Sequence, residues 1–69
     1  MKMRKEVTTL VPGDTVSVMG GCKQFVRLDD FREISTSGGS FWACTLIFTD
    51  KTKMTEAIGG FVDVEISEP

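Results

Sequence analysis

The sequence predicts an all-β domain, a small and strongly bent antiparallel barrel of five to six strands. Three observations carry that expectation. No segment spaces its apolar residues as an amphipathic helix requires, Thr, Val, Ile and Phe recur in short runs, and Gly-, Pro- or Asp-containing turns interrupt the chain at short intervals. Short alternating strands joined by tight turns leave that pattern. At 69 residues, 41% hydrophobic and 26% charged with net charge −2, the chain is a single folding domain over 1–69. It lies near the lower size limit, because such a chain buries only about 60% of the surface its unfolded form exposes.

Taken in order, residues 1–5 form a flexible basic end with Lys2, Arg4 and Lys5. Val7 to Val11 is the first strand, stopped by Pro12-Gly13, where Pro fixes φ and Gly supplies φ > 0 for a type II turn. Asp14 to Met19 alternates, with Val16 and Val18 inward and Thr15 and Ser17 outward. Gly20-Gly21 breaks that run. Phe25 to Ile34 is strand-like again, but adjacent acids are poor in a strand interior, so Asp29-Asp30 marks a bulge or a dividing turn. Thr36 to Gly39 is a hairpin turn into Phe41–Phe48, and Thr49 to Thr52 is a second turn into a strand over Lys53–Glu56. Ala57 to Gly60 is one helical turn or a loop. The last strand, Phe61 to Ile66, sets Val62, Val64 and Ile66 against Asp63 and Glu65. The doublets Gly20-Gly21, Gly38-Gly39 and Gly59-Gly60 each precede a phenylalanine, but the segments are too unlike to be repeats, and glycine at sheet corners explains them.

Pro12-Gly13-Asp14 followed by Val16 and Val18 resembles the opening of many SH3-like barrels. The resemblance is short and implies architecture only. An OB-like barrel is the alternative, although its helix between the third and fourth strands has no candidate here.

The informative stretch is Phe41 to Phe48. One alternating set is Trp42, Cys44, Leu46 and Phe48, and the other is Phe41, Ala43, Thr45 and Ile47. A half-exposed antiparallel strand has one polar set; here both are mostly apolar. The bulkier first set is assigned to the interior. Phe41 and Ile47 then need cover on the outer face, either from the same chain or from another one, since exposed apolar patches mark interaction sites and small cores gain from oligomerisation. Phe41, Thr45, Ile47 and Phe61 are therefore the candidate partner-binding residues, for a protein partner or for a homodimer.

Other chemistry is thinly supported. The chain has no histidine and no tyrosine, which removes the commonest acid–base groups. Asp14 and Asp50 fall at turns, where aspartate caps backbone amides, and Asp29-Asp30 reads as a solvated bulge. Cys22 follows two glycines and precedes Lys23, but no histidine exists to activate it. Cys22 and Cys44 have the wrong number and spacing for zinc, so they read as free thiols, with a bridge as the alternative. The double glycines match no nucleotide-binding loop. No catalytic residue, metal or cofactor is expected.

A single-stranded nucleic-acid binder is the second functional reading, using Phe25, Arg27, Phe31 and Arg32, but net acidity opposes phosphate binding. The basic start contrasts with Glu56 to Glu68, which contains Glu56, Asp63, Glu65 and Glu68 and no Lys or Arg. The two ends either stay solvated or pair with each other, and the acidic edge with Phe61 could also dock a basic partner or mimic nucleic-acid charge. With no long apolar run and no secretory signal, a cytoplasmic protein without membrane contact is expected.

Overall fold

Six strands form one antiparallel sheet in the order β1-β6-β2-β3-β4-β5. They are β1 (Lys2–Glu6), β2 (Thr15–Val18), β3 (Gly21–Thr36), β4 (Gly39–Phe48), β5 (Lys53–Ala57) and β6 (Phe61–Glu65). This is a computed structural model that describes residues 1–66; Glu68, counted above with the acidic end, lies outside them. The all-β antiparallel expectation holds, with one 3-10 turn at Val7–Thr9 as the helical content. The sheet is not closed, and β1 and β5 are its two edges.

The first strand begins earlier than the sequence pattern suggests. Val7–Thr9 is the 3-10 turn, and β1 is the charged segment before it. Glu6 caps that turn, its carboxylate accepting the Thr8 amide at 2.7 Å and the Thr8 hydroxyl. The turn sends Val7 and Leu10 into the core. β1 pairs with β6 so that Lys2 faces Glu65 and Arg4 faces Asp63. The basic start thus lies against the acidic last strand of its own chain, where opposite-charge cross-strand pairs are favourable.

The Pro12-Gly13 turn forms as expected, with Gly13 at φ 98°. Asp14 closes it: its carboxylate accepts the Val11 amide at 3.1 Å and the Lys5 ammonium at 2.9 Å. Val16 of β2 is fully buried. The Asp29-Asp30 expectation of a bulge also holds. Asp29 faces Thr45 and Arg32 faces Ala43, so Asp30 and Phe31 together oppose Cys44, and Asp30 takes a φ of 52°. A second shift lies between Phe25 and Arg27. These irregularities increase the local twist, along a β3 that pairs with β2 over Gly21 to Gln24 and with β4 from Phe25 to Thr36.

The core is a cluster of Val7, Leu10, Val16, Phe25, Cys44, Leu46, Phe48, Val62 and Val64. The inner row of β4 supplies Cys44, Leu46 and Phe48 as expected. Trp42, placed in the same row by alternation, is instead 56% exposed. It points to the expected side but lies beyond the end of the core.

Two predictions follow from this packing. Leu46 is fully buried, so Leu46→Ala should cost about 2–5 kcal/mol in urea unfolding, a large share of the stability of so small a domain. Asp50 accepts the Thr52 hydroxyl and amide and pairs with Lys23 at 3.2 Å, contacts that hold its carboxyl down to about 2. Asp14 is also lowered: burial works against this, but the Val11 amide and Lys5 outweigh it. A carboxylate depressed in the folded state stabilises above its unfolded pKa and loses that contribution as pH falls through the folded one. Stability should therefore fall between about pH 4 and about pH 2, and Asp50→Asn should flatten part of that decline in denaturation followed by circular dichroism.

Candidate interaction surface

Beyond the Asp30 bulge, β3 and β4 continue as a paired hairpin, with Arg32 facing Ala43, Glu33 facing Trp42, Ile34 facing Phe41 and Ser35 facing Ser40. The hairpin outruns the core, and the molecule measures 45 × 22 × 22 Å. Three aromatic side chains are exposed on this stretch: Phe31 and Trp42 at 56% each and Phe41 at 43%. The Ile58 amide donates to the Trp42 carbonyl at 2.8 Å, which brings the exposed Ile58 turn alongside.

The hairpin presents two faces, because directly opposed residues share a side and successive residues alternate. One face carries Phe41 and Ile34, with Ala43 and Thr45 further along. The other carries Trp42 and Glu33, and next to them Glu56 of β5 opposite Cys44. Phe31, the residue before Arg32, falls on this second face by the same alternation. Ser40 donates its hydroxyl to Glu33 at 3.2 Å across the pair.

Of the four expected partner-binding residues, Phe41 is on this surface. Thr45 is buried under Arg32, whose guanidinium donates to Thr45 Oγ1 at 3.3 Å, to Thr55 Oγ1 at 3.4 Å and to Asp30 at 2.7 Å. Ile47 is half-buried, in register between Arg27 and Lys53. The outer face of β4 therefore takes part of its cover from an arginine of the same chain. Phe61 is exposed on β6 with the Arg4 guanidinium 5.3 Å from its ring centre, and β2 and β3 separate β6 from β4 in the sheet.

The residues considered for nucleic acid do not converge on one surface. Phe25, expected to point outward beside Arg27, is 2% exposed in the core. The register shift between Phe25 and Arg27 breaks the alternation that would have put them together. Arg27 lies 3.8 Å from Asp29 and Arg32 lies 2.7 Å from Asp30. Of that set Phe31 and Arg32 lie on the hairpin, on opposite faces of it. Ile58 was not legible at all, since its position depends on a backbone hydrogen bond from the β5–β6 turn to Trp42 of β4.

Cys22 is exposed and Cys44 buried, and both are free thiols. Burial pushes the Cys44 thiol up, the nearby Glu6 and Glu56 carboxylates add to this, and Arg32 opposes it. Such a thiol is a small apolar core group rather than a nucleophile. The described residues enclose no pocket and hold no group of three or more His, Cys, Asp or Glu side chains arranged for a metal. No helix among them is long and apolar enough to cross a membrane. No protein-family model matches this chain, and comparison with curated proteins and with solved structures gives no match.

The thiols offer a direct check on this geometry. In the native protein a dithiobisnitrobenzoate titration should count one fast thiol, Cys22, with the second appearing on unfolding; two fast thiols would place Cys44 outside the core.

Proposed function

We propose that this protein is a non-catalytic interaction module, SH3-like in outline, that docks a protein chain on the far part of the β3–β4 hairpin. The observation that carries the reading is the exposure of Phe31 and Trp42 on one face of the paired β3–β4 stretch, with Phe41 exposed on its other face. Small domains keep large apolar side chains in water at little benefit to themselves, and contiguous patches of them mark contact surfaces. Aromatic anchors on rigid elements suit this role, because little conformational entropy is lost when they are covered. The outline rests on the long bent β3 shared between the two halves of the sheet and on the Pro12-Gly13-Asp14 opening. Free thiols fit a reducing, cytoplasmic setting.

A second copy of the chain is one occupant, and a different protein is the other. Single-stranded nucleic acid fits less well, because Arg27 and Arg32 already pair with Asp29 and Asp30 and Phe25 lies in the core.

Phe41→Ser combined with Trp42→Ser tests the reading. Both side chains lie outside the core cluster, so the variant should keep wild-type circular dichroism and lose no more than about 1 kcal/mol of stability. It should also lose the association that wild type shows, either as dimer mass in micromolar sedimentation or as a host protein retained on the immobilised chain. A wild type that is monomeric and retains the same proteins as the double variant would overturn the proposal.

A further inference from the structure

Building on that docking surface, we propose that the occupant of its Trp42 face is a cationic segment of a different protein, with Lys or Arg side chains lying over Trp42 and Phe31 between Glu33 and Glu56. The charge around the aromatics makes the choice. Glu33 stands directly across from Trp42, and Glu56 stands across from Cys44, the next residue inward on that face.

Neither carboxylate has an ion-pair partner among the described residues, whereas Asp14, Asp29, Asp30, Asp50 and Glu65 each do. The cation adjacent in sequence, Arg32, is turned to the opposite face, where Thr45, Thr55 and Asp30 hold it. Lys53 pairs in register with Ile47, also on that opposite face. Glu6 adds a third carboxylate nearby: its oxygen accepts the Gly59 amide at 3.4 Å, in the same turn as the Ile58 that bonds Trp42. Aromatic rings attract cations through their faces, and Trp does so best. Flanking carboxylates supply the complementary charge that steers and selects such a partner.

The same charges argue against the other occupants. A two-fold dimer sets one patch against its own copy, and on this face that brings the carboxylates of both copies together. Phosphate groups would meet the same repulsion.

Trp42 is the one tryptophan in the chain, so its emission reports on this face alone. The full chain would be titrated with a synthetic peptide alternating Lys and Arg with Val and Leu, and with the same peptide carrying Glu at the charged positions. The cationic peptide should shift Trp42 emission saturably and bind at least about tenfold tighter than the acidic one, with added salt weakening it. Glu33→Gln with Glu56→Gln should weaken that binding about tenfold, and Phe31→Ser should weaken it in wild-type and Gln backgrounds alike. Equal binding of the two peptides, or unchanged binding by the Gln variant, would overturn the cationic occupant. Loss with Phe31→Ser and no loss with the Gln variant would do so while leaving the apolar docking surface standing. No response to either peptide would also overturn it, and the association of the full chain would then decide the docking surface separately.

Discussion

β3 runs for 16 residues, about 50 Å of extended chain, and borders a core made by nine side chains. That mismatch of lengths governs the rest of the molecule. Its first four residues, Gly21 to Gln24, pair with β2, and from Phe25 to Thr36 it pairs with β4 and, past the core, has little else to lie on. β4 follows it outward because a lone extended strand would leave its amides and carbonyls unpaired, and pairing along the hairpin satisfies them. The result is a paired ribbon projecting from a small centre, with side chains that have no interior to enter.

How legible this was depends on which physical property each residue reports. Alternation gives the side of a sheet, and it gave it correctly for Val16, Val62, Val64, Leu46 and Phe48. It says nothing about where along the strand the core stops, which is why alternation puts Trp42 inside with Cys44. Turn chemistry was equally readable at Pro12-Gly13, at Thr36 to Gly39 and at Thr49 to Thr52. The bulge at Asp29-Asp30 announced itself through two adjacent acids, whereas the shift after Phe25 has no such mark in Phe25-Val26-Arg27. A one-residue shift exchanges the faces of a strand, and the Phe25–Arg27 pairing was lost to it.

β1 escaped notice for a different reason. Lys-Met-Arg-Lys-Glu has neither β-branched residues nor alternation, and its strand character comes from its partner β6 rather than from its own composition. β propensity describes how well a residue fits a pleated surface in context, and here the context is a row of carboxylates. The same charges make β1 a poor template for further pairing, since lysines along an edge discourage an approaching strand. At the other edge β5 is five residues long and carries Lys53 and Glu56.

The strands that end the sheet order, β1 and β5, are thus short and charged, while Phe31 and Trp42 lie on one face of the hairpin and Phe41 on the other. This division bears on the docking surface proposed above. An exposed edge offers backbone groups that any extended chain can match, so it discriminates poorly and invites aggregation. A face offers side chains, whose shape and charge distinguish one partner from another. On the hairpin Glu33 and Glu56 are on the same side as Trp42, and Arg32 is drawn to the other side by Thr45, Thr55 and Asp30. That arginine covers apolar and hydroxyl surface that would otherwise be open, and its orientation leaves the Trp42 side acidic. One side chain therefore sets a difference between the two faces: it covers Thr45 and Thr55 on the outer side of β4, where Phe41 stays exposed further along, and keeps positive charge off the side of Phe31 and Trp42.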